Sequence, residues 1–280
     1  GYGRQGPLAE YPANGATTEP RSASSSMHGY EGDPGMNTGG LIPDPISGYY
    51  LAASIVTAMH HRKQSGIGQR IDSSMMESVA IQFGDALLEY ETNGEIRKPM
   101  GNKHPDIAPH GLFQSKDGAW VALAAENDQT FQNLCEFLSI PDLANDIRFI
   151  TAPKRKTHEI ELNKIVGESF KSQFHSSQLD KLQSLGIDAA ICRDFLDIYK
   201  KPNPQFLHRD FMQKIDHPEA GSHLLPTMPW TLKYTQKPQN RPSPCFGEHS
   251  QDVFFEELGI GQDEYLELVS LNITGSERLT

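Results

Sequence analysis

One aspartate stands apart from the other side chains that could do chemistry. Asp44 lies in Pro43-Asp44-Pro45-Ile46-Ser47, where a proline on each side fixes the backbone and removes N–H donors that would compete for a carboxylate. The residues alone leave two readings open: a helix-end Asp-Pro turn, or a carboxylate positioned as a nucleophile. The histidines offer less. His60 and His61 are helix neighbours pointing about 100° apart, which rules them out as a chelating pair, while His104, His110, His217 and His249 are scattered through Pro- or Gly-containing turns. With no HExxH, no CxxC and no carboxylate triplet, no metal site is expected. GxSxG and SxxK are both missing, which argues against a serine hydrolase. Gly1, Gly3 and Gly6 match G-x-G-x-x-G by spacing but lead into Pro7 instead of a helix, so the phosphate-cradle reading fails its context.

The elements that would position Asp44 come next. Residues 1–45 are rich in Gly and Pro and read as loop; Tyr2, Tyr11, Met27, Tyr30, Leu41 and Ile42 within them point to an ordered loop rather than a solvated tail. From Ser47 to Lys63 a helix is predicted, with Leu51, Ile55 and Met59 at four-residue spacing, His60-His61-Arg62-Lys63 at its end, and Gly66 and Gly68 as the stop. Asp44 then falls at or near the helix amino terminus, where peptide dipoles favour a carboxylate, with Ser47 as the alternative cap. Gln69 to Met75 reads as a short strand and Glu77 to Tyr90 as a helix. After a polar, Gly- and Pro-containing crossing at 94–109, Trp120 to Ala124 reads as a buried strand, Gln129 to Leu138 and Glu159 to Phe174 as amphipathic helices, and Leu179 to Leu185 and Ala189 to Cys192 as the close of a smaller α+β domain. Beyond Lys200 the prolines suit an extended return segment, followed by a last helix from about Ser250 to Leu258.

Composition narrows the function classes. In 280 residues, 25 Lys and Arg stand against 36 Asp and Glu, a net charge of −11, so no global field draws this surface to nucleic acid or anionic lipid. No stretch reaches the roughly 18 apolar residues of a membrane helix, so no membrane partner is expected. Cys135, Cys192 and Cys245 are widely spaced and odd in number, which fits a reducing compartment. The opening residues Gly1 to Pro7 show neither the basic patch nor the apolar core of a signal peptide, and a cytoplasmic location is expected, with a mitochondrial or peroxisomal matrix left open.

Several motifs in order resemble one family, the family III CoA-transferases, whose divergent branch includes α-methylacyl-CoA racemase. Gly1-Tyr2-Gly3-Arg4-Gln5-Gly6-Pro7 resembles its glycine turn, Asp44 with Ser47-Gly48 its active aspartate and following helix, and Gly66-Ile67-Gly68-Gln69-Arg70-Ile71-Asp72 its strand entry. Gly101-Asn102-Lys103-His104-Pro105-Asp106-Ile107-Ala108-Pro109 resembles its mobile substrate loop and Gly247-Glu248-His249-Ser250 its near-terminal turn.

The resemblance implies an α/β fold, a Rossmann-like large domain, incomplete here, with a smaller α+β domain. Residues 1–95 would be part of the large domain, 96–200 the small domain, and 201–280 the return linker and carboxyl-terminal part of the large domain. The family's additional amino-terminal half would precede Gly1. The implied reaction moves CoA from an acyl-CoA to a small carboxylic acid through an Asp44 mixed anhydride and an Asp44-CoA thioester, with coenzyme A as co-substrate and no tightly bound cofactor. Tyr11, Pro12, Ala13, Asn14 and Met75 would line CoA, Gly101, Asn102, Lys103 and His104 would form the substrate loop, and the subunits would interlock as a homodimer. The racemase branch carries a histidine base at the place of Asn14, so an amide there disfavours racemisation. The family usually has an acidic residue at the place of Gly15. Racemase or epimerase activity and a non-catalytic partial chain or partner subunit stand as the alternatives.

Overall fold

The computed structural model describes residues 1–200, 203–237 and 240–276, in two compact units, Gly1–Cys192 and Arg193–Thr280. The first 95 residues of unit one are helical or extended. Helix α1 (Gly15–Arg21) and a 3-10 turn, Ser24–Met27, arise inside the Gly- and Pro-rich stretch expected to be loop. The signal for α1 is local: Asn14 and Thr17 form a reciprocal capping box, which satisfies donors that a short helix leaves open. Helix α2 (Pro43–Ser65) starts four residues before the expected Ser47 and ends at Gly66, whose φ of +75° is the left-handed stop. Ser47 does not cap it; its hydroxyl donates to the Asp44 carbonyl within the first turn.

The strand expected from Gln69 to Met75 is extended but pairs with no strand among the described residues. Its donors and acceptors turn instead to the amino-terminal segment. Arg4 N donates to both Asp72 carboxylate oxygens at 3.2 and 3.1 Å, Ser74 Oγ donates to the Gly1 carbonyl at 3.5 Å, and Met75, expected to end the strand, instead begins the next helix. The helix expected from Glu77 is broken by a 3-10 turn into α3 (Met75–Ala80) and α4 (Gly84–Asn93).

Residues 108–191 hold the core of unit one. Strands β1 (His110–Gln114), β2 (Trp120–Ala124) and β3 (Asp188–Ile191) form an antiparallel sheet in the order β1-β2-β3, with Phe113 opposite Val121 and Val121 opposite Ile191. Val121 and Leu123 alternate inward, the period-two pattern of a half-buried strand. Against that face lie α5 (Asp128–Phe137), which buries Phe131, Leu134 and Cys135, and α8 (Glu159–Gln173), which buries Leu162, Val166 and Phe170 at four-residue spacing. Three short helices, α6 (Pro141–Asn145), α7 (Ala152–Thr157) and α9 (Leu179–Ser184), complete the layer. Phe170 stacks between Phe113 and Phe174, with ring centres 5.7 and 4.7 Å away. Arg155 of α7 is fully buried yet paired: it donates to the carbonyls of Ala108 and Phe149, reaches Asp128 Oδ1 at 2.8 Å and lies over the Phe131 ring. Buried charge persists only with such compensation.

Unit two is more structured than an extended return segment. After α10 (Phe195–Lys200) and α11 (Pro204–His208), strands β4 (Met212–His217) and β5 (Gly221–Pro226) form a hairpin with Met212 opposite Pro226 and His217 opposite Gly221. Pro218, Glu219 and Ala220 make the turn, Gly221 takes φ +78°, and His217 Nδ1 accepts from Glu219 N and Ala220 N. Proline is compatible here because each strand of a two-stranded ribbon is an edge. The expected final helix is α12 (Ser250–Asp252) running into a wider turn, Val253–Glu257; a further helix, α13 (Gln262–Ser270), follows, and its Tyr265 packs between Phe254 and Phe255. No helix among the described residues is long and apolar enough to cross a membrane.

Candidate functional site

Asp44 occupies the second position of α2, after Pro43. The first turn offers its carboxylate little competition: Pro43 and Pro45 lack an N–H, Asp44 N donates to the Leu41 carbonyl at 3.0 Å, and Ile46 N donates to the Ile42 carbonyl at 3.2 Å. Asp44 itself is exposed, and among the described residues its carboxylate takes part in no hydrogen bond or ion pair. What neighbours it is α1. A β-carbon on Gly15 would stand 2.0 Å from Asp44 Oδ2 and 3.1 Å from Leu41 Cα. The space that any side chain at 15 would need is occupied by the Asp44 carboxylate. The carboxylate is exposed, free of its own helix's donors and set at the positive end of a 23-residue helix, an environment that favours a negative charge.

The approach to Asp44, residues 37–43, is anchored on α1 at Ala16 and, one turn on, at Glu19. Asn37 Nδ2 donates to the Ala16 carbonyl at 3.0 Å, and Ser25 Oγ donates to Asn37 Oδ1 at 2.6 Å. Glu19, only 2 % exposed, accepts from Thr38 N at 2.8 Å and from Thr38 Oγ1 at 3.2 Å. Beyond Thr38 the chain passes Gly39 at φ +77° and Leu41 at φ +49° before α2 begins. A non-glycine residue in that region costs about 1–2 kcal/mol, so the anchors must hold the strap in place. Neither Glu19 nor Thr38 carries a sequence signal, because their contact spans 19 positions.

Of the residues expected to line CoA, Asn14 is adjacent to Gly15 and is committed to capping α1: its Oδ1 accepts from Thr17 N at 3.1 Å, and Asn14 N donates to Thr17 Oγ1. Ala13 packs on Gly1, where an added β-carbon would come within 2.1 Å of Ala13 Cβ. Met75 joins the same cluster through its sulfur, which accepts from Thr18 Oγ1 at 3.2 Å. Tyr11 is exposed but stacked: the Arg21 guanidinium lies 5.5 Å from the ring centres of both Tyr2 and Tyr11. Gly1, the 11–14 segment, α1, Met75 and Asp44 thus gather around one short helix.

The expected substrate loop is pinned at several points. Gly101 has φ +61°, donates to the Gly29 carbonyl at 2.8 Å, and lies so close to Tyr30 that a β-carbon would meet its ring at 2.9 Å. Lys103 pairs with Glu31; the ammonium beside Glu31 holds that carboxyl below the ordinary glutamate range, and the carboxylate in turn raises Lys103. His104 accepts from Asp106 N and Ile107 N through Nδ1, and its carbonyl accepts from Lys156 Nζ. A groove of about 770 Å³ is lined by Gly101, Asn102 and Lys103 with Leu112, Ala122 and Ala190 of the sheet. Asp44, Tyr11 to Asn14 and Met75 do not line it. Among the described residues no three His, Cys, Asp or Glu side chains gather as a metal site.

The model of the family described as CoA-transferase family III matches residues 1–250. The chain is 26 % identical over 265 residues to the succinyl-CoA–D-citramalate CoA-transferase of Chloroflexus aurantiacus, a match that takes in 94 % of this chain and 65 % of that protein. It is 28 % identical to the acetyl-CoA:oxalate CoA-transferase of Acetobacter aceti over 86 % of this chain and 60 % of that protein. With the human succinyl-CoA:glutarate CoA-transferase it shares 25 % identity over 98 % of this chain and 62 % of the relative. The chain therefore spans 60 to 65 % of the length of these curated relatives. Among solved structures, a CAIB/BAIF family protein from Brucella suis superposes with a TM-score of 0.80 at 27 % identity, covering 91 % of this chain and 66 % of that one.

Proposed function

The chain belongs to CoA-transferase family III, and from that premise we propose that it carries the nucleophile of a CoA-transferase, with Asp44 attacking an acyl-CoA thioester. One observation carries the reading: Asp44 is the exposed carboxylate at the head of α2, freed from local donors by Pro43 and Pro45 and fitted into the space left by Gly15. An Asp44 oxygen attacks the thioester carbonyl, the C–S bond breaks, and CoA departs as a thiolate, leaving a mixed anhydride. The thiolate then attacks the Asp44 carbonyl carbon, the anhydride C–O bond breaks, and the donor acid leaves as a carboxylate. The acceptor carboxylate reverses both steps through its own anhydride and regenerates Asp44. Each intermediate stores the activation of the thioester, so exchange between carboxylic acids is nearly balanced and needs no external energy source.

Tyr11, Pro12, Ala13, Asn14 and Met75 are assigned to the CoA side of this site, and Gly101, Asn102, Lys103 and His104 to a cover that excludes water from the anhydride. Residues 1–95 and 201–280 are assigned to the large domain and 96–200 to the small one; apolar residues spread around α2, including Tyr49, Val56 and Met59, suit a helix enclosed by a larger domain. An interlocked homodimer and a reducing cytoplasmic or matrix location complete the reading, the latter in keeping with three free cysteines. Transfer is favoured over racemisation because Asn14 has no basic nitrogen to remove an α-proton. The relatives' names point to succinyl-CoA or acetyl-CoA as donor and a short dicarboxylate as acceptor. Transfer assays on full-length protein with these pairs test the reading. Asp44→Asn should abolish transfer while the fold is retained, and wild-type turnover by that variant would refute it.

A further inference from the structure

We infer that Glu19 is a positioning residue for Asp44, holding the strap of residues 37–43 on α1 through Thr38; this rests on Asp44 being the nucleophile. The geometry supplies the reasoning. Helix α1 touches the strap at two places one turn apart. Its first turn meets Leu41 and the Asp44 carboxylate at Gly15 and holds Asn37 at the Ala16 carbonyl, and one turn on Glu19 holds Thr38. Thr38 is the last strap residue with a hydrogen bond to α1; next come Gly39 and Gly40, which lend no stiffness of their own, and Leu41, held at φ +49°.

A merely solvated glutamate would not be built this way. The Glu19 carboxylate is buried, accepts both the main-chain and the hydroxyl donor of one residue, and has the His28 ring nitrogen 3.9 Å away as its nearest cation-forming group. Bonds from a charged acceptor are roughly twice as strong as neutral ones, and a partly satisfied carboxylate would be costly in this setting. Glu19 therefore fixes where Thr38 lies, and two glycines later that fixes where the Leu41 turn delivers Asp44. Glu19 touches no reacting atom.

The experiment uses full-length protein and succinyl-CoA with a dicarboxylate acceptor, measuring kcat, KM for the thioester and thermal unfolding. Glu19→Ala is expected to lower kcat about tenfold to a hundredfold, the penalty of misplacing a reacting group by about 1 Å, with KM within about twofold. Glu19→Gln, whose amide oxygen still accepts from Thr38 N, should restore kcat to within about threefold of wild type, since most of the clamp survives. Should Glu19→Ala not fold, Thr38→Val decides: it deletes only the hydroxyl bond and keeps the bond from Thr38 N, so the protein should remain folded, with an unfolding temperature lowered by a few degrees, while kcat falls about threefold to tenfold. Folded Glu19→Ala or Thr38→Val with kcat within twofold of wild type overturns the inference. If those variants are fully active while Asp44→Asn is silent, only the role of Glu19 fails; if Asp44→Asn turns over normally, the nucleophile reading fails and takes this one with it.

Discussion

Adding a single methyl group at Gly15 should separate activity from stability. In Gly15→Ala the new β-carbon would lie 2.0 Å from Asp44 Oδ2, whereas ordinary contacts begin at 3.4 Å; the carboxylate must therefore retreat by about 1.4 Å, the difference of the two. The methyl also stands 3.1 Å from Leu41 Cα and Cβ, so the strap backbone gives by a few tenths of an ångström. Overpacking of this kind costs about 1–3 kcal/mol, and replacing glycine by alanine in a helix returns up to about 1 kcal/mol. Net stability should drop by no more than about 3 kcal/mol, and the protein stays folded. Activity has no such offset. Moving a nucleophile by more than 1 Å costs on the order of 10²-fold in rate, so kcat should fall by about that factor with little change in KM. Steady-state transfer kinetics alongside thermal denaturation read both quantities. A folded Gly15→Ala enzyme with wild-type kcat would show that the space at Gly15 does not set the position of Asp44.

The Lys103–Glu31 tie should depend on pH at both ends. Glu31 is held below its ordinary value of 4.5 and Lys103 above 10.5, so the tie is intact between those values and is lost as pH falls through the lowered Glu31 value or rises through the raised Lys103 value. The protection of the Gly101 amide, measured as exchange relative to the intrinsic rate at each pH, should fall as pH drops through the lowered Glu31 value, and Lys103→Met should abolish that dependence; an identical profile in the variant would contradict the assignment. In the core, Phe170→Ala removes a ring packed against Phe113 and Phe174 and should destabilise by about 3–5 kcal/mol in denaturant titrations, while a loss below 1 kcal/mol would mean that the sheet and α8 do not share one core.

Periodicity exposed the elements with local causes. Leu51, Ile55 and Met59 marked α2, the apolar run Trp120–Ala124 marked β2, and the amphipathic stretch from Glu159 to Phe174 marked α8. Glycine and proline hid others. Helix α1 begins at Gly15 and contains Pro20, so only the Asn14–Thr17 capping pair advertised it, and the β4–β5 hairpin was masked by Pro218 and Pro226 in a region read as extended. The Gln69–Met75 segment had a strand's pattern, but its Asp72 and Ser74 side chains bond to Arg4 and Gly1 rather than to a neighbouring strand. Asp44 was legible because Pro43 and Pro45 flank it. Its surroundings were not: the fit of Gly15 against Asp44 and the Glu19–Thr38 clamp join residues 29 and 19 positions apart, which no local propensity encodes. The glycine at 15 leaves the space that the Asp44 carboxylate fills.

Hydroxylamine trapping during turnover is the most direct measurement. Full-length protein incubated with succinyl-CoA and hydroxylamine, then digested and analysed by mass spectrometry, should carry a hydroxamate on Asp44 and lose activity in step with its formation. An unmodified Asp44 in enzyme that is turning over, or a hydroxamate on a different carboxylate, would contradict the account.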